Sequence, residues 1–99
     1  MIRFEISYTI LAAAQRRTLE SSPWQIRVWK AVRKALALME VDLRHPGLRT
    51  HKYHAVKGPQ GQDVFEAYAQ NRTPGAYRVF WCYGPSEREI TILAITPHP

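Results

Sequence analysis

Ala76-Tyr77-Arg78-Val79-Phe80-Trp81-Cys82-Tyr83 is the stretch on which the fold turns. Aromatic and β-branched residues occupy both faces of its pleat, with a single cation, Arg78, near the start. A strand that is apolar on both sides must be covered on both sides, so it reads as the centre of a sheet. Turn chemistry brackets it: Asn71-Arg72-Thr73-Pro74-Gly75 before and Gly84-Pro85-Ser86 after. Beyond the second turn, Glu89 to Thr96 is another strand. Ahead of the first, Asp63 to Gln70 suits helix or strand by composition, and its place between two turn clusters favours a strand. Gly58-Pro59-Gln60-Gly61 turns the chain once more, and Leu48 to Lys57 is a further extended segment.

The N-terminal half has a different rhythm. Ile2, Phe4, Ile6 and Tyr8 alternate with Arg3, Glu5 and Ser7, the period of a half-buried strand. From about Thr9 a short amphipathic helix follows, with Ile10, Leu11 and Ala14 as its apolar positions among Arg16, Arg17 and Glu20. Ser22-Pro23-Trp24-Gln25 predicts a helix start, with Ser22 as N-cap, Pro23 in the first helical position and Gln25 reaching back. Val28, Trp29, Val32, Ala35, Leu36 and Met39 then fall on one stripe, and Arg27, Lys30 and Lys34 on another face. His45-Pro46-Gly47 ends this helix near Asp42. Trp24 and Trp29 are expected in the core, with a partner-binding surface the alternative for one of them. The order is β-α-α-β-β-β-β: an α+β domain over residues 1–99, with two helices packed on a twisted, mainly antiparallel sheet.

With 99 residues there is room for one such domain and no second. A hydrophobic content of 45% excludes a disordered tail. No apolar run reaches the ~18 residues of a membrane span, and no secretory signal is expected. One cysteine, Cys82, excludes an internal disulfide and fits a reducing cytoplasm. Lys and Arg number 14 against 8 Asp and Glu, a net charge of +6. The segment from Leu43 to Gln62 holds no acid, but carries Arg44, Arg49, Lys52 and Lys57 with His45, His51 and His54. Such a surface suits a polyanion: nucleic acid, an acidic membrane surface or an acidic protein. Clustered histidines tilt the reading toward phosphate.

Three motifs behind the two helices carry a resemblance: Val56-Lys57-Gly58, Tyr77-Arg78-Val79-Phe80-Trp81, and Ile92-Leu93-Ala94-Ile95-Thr96-Pro97-His98. In this order, over residues 2 to 98, the chain resembles the RelE/ParE superfamily of small bacterial toxins. The resemblance implies a cytoplasmic toxin neutralised by a cognate antitoxin protein. RelE-like members cut mRNA on the ribosome, and ParE-like members poison DNA gyrase without being nucleases. A third reading is a non-toxic RNA- or protein-binding module of the same fold. The RelE-like reading implies a metal-free endoribonuclease with no cofactor. It needs a base for the ribose 2′-OH, a cation for the phosphorane and an acid for the leaving 5′-oxygen.

On that resemblance Arg78 is the phosphate clamp, a role suited to an always-charged fork. Lys52 and His54 fall where the second-strand groups sit, and at i, i+2 they share one face of a regular strand. Histidine is the natural base near neutral pH. His98 matches the C-terminal histidine of some ribonuclease members, as acid or base. Arg44, Arg49, Lys57 and Arg72 are expected on phosphates, and Tyr83 against a base. Which group is base and which acid stays open, as does the choice between monomer and homodimer. A metal site at His51 and His54 is not expected, since i, i+3 on a strand points to opposite faces.

Overall fold

The computed structural model describes residues 3–98; Ile2, in the first alternating run, and Pro99 lie outside them. Strand β1 is Glu5–Tyr8, and helix α1 (Ile10–Glu20) follows it directly. A short 3-10 turn at Pro23–Gln25 leads into helix α2 (Ile26–Val41), and a second at Pro46–Leu48 precedes strand β2 (His51–Lys57). Strands β3 (Asp63–Tyr68), β4 (Tyr77–Tyr83) and β5 (Glu89–Pro97) complete the chain. The sheet runs β1-β5-β4-β3-β2, so β4 is its central strand, as its double-sided apolarity requires. Only β1 against β5 is parallel; the other three pairings are antiparallel.

The α2 stripe reads as expected. Val32, Ala35, Leu36 and Met39 are buried, and Val28 and Trp29 pack beside them onto Ala67, Val79, Trp81, Ile90, Ile92 and Ile95. The helix ends at Asp42, which caps it.

Helix α1 departs from its expected face. Ile10, Leu11 and Ala14 are exposed, Ile10 by 91%, and the buried positions are Ala12 and Leu19. The reason lies in β5, whose upper half has no strand beyond it, because β1 stops pairing at Ile92. Helix α1 supplies the missing partners. Thr9 Oγ1 donates to Leu93 O (3.1 Å) and accepts from Ala12 N (3.1 Å), and Gln15 Oε1 accepts from Ile95 N (2.7 Å). These bonds fix the helix's rotation, and the methyl of Ala12 allows the close approach. Backbone satisfaction outweighs the burial of Ile10 and Leu11.

The expected capping at Ser22 also differs. Ser22 precedes the Pro23–Gln25 turn, but its hydroxyl donates back to Thr18 O (2.6 Å), while Gln25 Nε2 reaches Tyr77 OH (3.3 Å). That turn leaves Trp24 83% exposed, outside the core, whereas Trp29 packs against it.

The segment from Leu48 to Lys57 is strand only from His51, since Leu48 belongs to a 3-10 turn and Arg49 takes a left-handed φ of 47°. A register shift between Tyr53 and Lys57 interrupts β2, so the strict alternation that would put Lys52 and His54 on one face stops there.

Candidate functional site

Residues opposite each other across a ladder share a face of the sheet. The pairs His51–Glu66, Glu66–Phe80, Tyr68–Arg78 and Arg78–Thr96 therefore lay two neighbouring rows of side chains on the face away from the helices. Its apolar part, with Tyr53, Val64, Phe80 and Ala94, lines a cavity of about 260 Å³. Beside it stands a carboxylate where the strand pattern has apolar neighbours.

Glu66 is 2% exposed, with two histidines and an arginine around it. Its Oε1 lies 2.8 Å from His51 Nε2; its Oε2 lies 3.0 Å from His98 Nδ1 and 3.6 Å from Arg78 Nε. A carboxylate this deep is tolerated only when paired. Arg78 is itself only 6% exposed. Its guanidinium lies over the Tyr68 ring, 3.6 Å from the centroid, and Nη1 donates to Gln70 O (2.7 Å). At 3.6 Å the Nε–Glu66 approach is an ion pair longer than a hydrogen bond, and Nε has no hydrogen-bond partner among the described residues.

The two histidines are held differently. His51 has acceptors at both ring nitrogens, Arg49 O at 3.0 Å from Nδ1 and Glu66 at Nε2. Its ring satisfies both only when doubly protonated, or when Glu66 carries the proton. His98 bonds Glu66 through Nδ1 alone, its amide donates to Ala76 O (2.8 Å), and its side chain is half exposed. The backbone bond fastens the histidine, and the carboxylate orients its ring with Nε2 left over. That is the arrangement of a base held in one tautomer by a carboxylate.

Three solved structures have this architecture. A YoeB/ParE toxin from Agrobacterium tumefaciens superposes with a TM-score of 0.65 at 9% identity, over 97% of this chain and 100% of that one. A chain of an archaeal RelE-RelB complex from Pyrococcus horikoshii gives 0.64 at 15% identity, over 97% and 96%. A YoeB dimer from Staphylococcus aureus gives 0.65 at 13%, over 98% and 99%. The chain has the RelE/ParE toxin fold. No family model and no curated protein matches its sequence.

Within this RelE/ParE-type fold, Arg78 and His98 come together through Glu66, while the other expected groups lie elsewhere. Lys52 pairs across the ladder with Phe65, on the helix side, and its Nζ is 3.2 Å from Asp63, which also takes Lys57 Nζ at 2.7 Å. His54 is exposed within the irregular part of β2. Arg72 is exposed in the β3–β4 loop at a φ of 60°. Arg44, Arg49 and Tyr83 line a second cavity, beyond the end of α2. Cys82 is buried, and that burial pushes its thiol up, away from the nucleophilic thiolate. Glu66 and His51 do not stand out as site residues in the sequence. The signal for Glu66 is its place between Val64 and Tyr68 on one face of β3.

The Lys57 hydrogen bond, and after it the one from Lys52, hold the Asp63 carboxyl below the usual carboxylate range. A carboxyl lowered on folding contributes stability that is complete above its unfolded value, about 3.9, and is lost as pH falls through its folded value. Urea unfolding of wild type and Asp63→Asn across acid pH should therefore show a gap that closes below about pH 4. A gap unchanged at low pH would show that the lysines do not hold Asp63.

No helix among the described residues is long and apolar enough to cross a membrane.

Proposed function

We propose that the chain is the toxin of a toxin–antitoxin pair and cuts mRNA at the ribosome, by attack of a ribose 2′-OH on the adjacent phosphorus. The observation that carries this is the Glu66-centred cluster, which joins Arg78 to His98 on the open face of a RelE/ParE-type fold. His98 Nε2 takes the 2′-OH proton, the 2′-oxygen bonds to phosphorus, and the bond to the 5′-oxygen breaks. The products are a 2′,3′-cyclic phosphate and a 5′-OH, with His54 or water giving the leaving oxygen its proton. Arg78 supplies positive charge for the phosphorane. His51 and Glu66 hold the other two in place. Lys52 and Lys57 steer the phosphates only when released from Asp63. No step calls for a cofactor.

A cognate antitoxin fits the exposed apolar side chains of the helical layer, Ile10 and Leu11 on α1 and Trp24 and Ile26 beside the start of α2. One fold neighbour is solved as a RelE-RelB complex and another as a dimer, which supports an antitoxin partner and a homodimer here. The protein would act in the cytoplasm.

Induced expression with mapping of RNA 5′ ends tests the reading. Growth should stop and new 5′ ends should appear inside translated messages. Intact messages with accumulated cleaved DNA–gyrase complexes would give the case to gyrase poisoning instead.

A further inference from the structure

Among the described residues, five have a backbone φ in the left-handed region: Gly61, Gly75 and Gly84, and two arginines, Arg49 and Arg72. Glycine adopts that conformation freely, whereas a side chain makes it costly. A residue strained in this way persists only where its surroundings hold it, and such residues gather at functional sites. Arg72 stands in the exposed β3–β4 loop. Arg49, at a φ of 47°, immediately precedes β2 and reaches the Glu66 cluster.

Arg49 reaches it twice. Its carbonyl accepts from His51 Nδ1 at 3.0 Å, and His51 Nε2 lies 2.8 Å from Glu66. Its guanidinium lies over the Tyr68 ring, 5.9 Å from the centroid, and the Arg78 guanidinium lies over the same ring at 3.6 Å. The left-handed turn aims the carbonyl, and a glycine would aim it as well at less strain. What a glycine lacks is the guanidinium. The two arginines differ in what they can still bind. Arg78 is 6% exposed, gives Nη1 to Gln70 O and faces Glu66. Arg49 is exposed and in no ion pair with a described residue, so its charge is open to an anion from outside.

We propose that Arg49 is a second phosphate-binding residue of the Glu66 site: with the scissile phosphate at Arg78, Arg49 holds the neighbouring phosphate of the same RNA strand. The assignment rests on the cleavage reading of that site. Phosphate oxygens accept the two-pronged guanidinium bond, and a guanidinium gives up its water more readily than an ammonium does. Both guanidiniums lie on one ring, so a strand held at Arg78 carries its next phosphate past Arg49. Two anchored phosphates fix the position of the strand along the site, where one would let it pivot.

NMR titration with two 2′-O-methyl oligouridylates tests this, a dimer with one phosphate and a trimer with two, neither of which can be cut through a 2′-OH. Wild type should bind the trimer about tenfold more tightly than the dimer, the worth of one charge-assisted hydrogen bond. Arg49→Gly keeps the turn, so it should unfold at the same urea concentration as wild type or a higher one. It should nonetheless bind trimer and dimer alike, and the slope of log affinity for the trimer against log salt should become shallower by about 0.7. Arg49→Lys should keep that slope and recover part of the preference for the trimer. An Arg49→Gly protein that still prefers the trimer overturns the inference, as does one that unfolds well below wild type, or a wild type with no preference. Cut messages without an Arg49-dependent preference overturn this inference alone, and the preference without cut messages overturns the cleavage reading alone.

Discussion

Arg78→Ala should cost about 3–5 kcal/mol of stability and abolish the proposed RNA cleavage at once, because the guanidinium is the buried partner of Glu66 and, in the proposed reaction, the cation on the phosphorane. Removing it leaves a carboxylate at 2% exposure facing only the two histidines, and strips the cover from the Tyr68 ring. The double variant Arg78→Ala, Glu66→Ala separates the two effects. With both charges gone the uncompensated carboxylate goes too, so urea unfolding should recover most of the lost stability while cleavage stays absent. Arg78→Lys should rescue little activity, since a point charge reproduces neither the fork nor the flat stack. A stable, fully active Arg78→Ala protein would remove Arg78 from both roles.

His98→Asn is expected to lower cleavage by about 10²- to 10⁴-fold, the usual worth of a placed acid–base group. It should do so without unfolding the protein. The side chain is half exposed, and its anchoring bond to Ala76 O comes from the backbone, which the substitution keeps. The asparagine amide would preserve a donor toward Glu66 but offers no base. Unchanged melting with lost cleavage assigns His98 to the chemistry. Unchanged cleavage would move the base to another group, with His54 the first to examine.

How legible the molecule is in its sequence depends on which forces act where. Strand β4 is legible because apolarity on both faces leaves a strand only one place in a sheet. The α2 stripe is legible because burial alone decides it. The face of α1 is not, since Thr9 and Gln15 answer a carbonyl and an amide of β5 that lie far along the chain, and no local pattern encodes that need. Trp24 misleads for a related reason: the 3-10 turn at Pro23–Gln25 takes it off the helix stripe. In the candidate site, Arg78 and His98 stand out by residue type and position. Glu66 and His51 need the register that pairs them, which exists only after β2 and β3 are aligned. Lys52 and His54 are equivalent by spacing, but a bulge separates them and Asp63 engages Lys52.

The most direct measurement of the central claim is the end chemistry of mRNA cut by the purified protein on translating ribosomes, with a matched message carrying a single 2′-deoxy nucleotide at the scissile position. The account predicts a 2′,3′-cyclic phosphate and a 5′-OH from the normal message, and no cut in the 2′-deoxy one. A 3′-OH with a 5′-phosphate, or cleavage that survives loss of the 2′-OH, would contradict it.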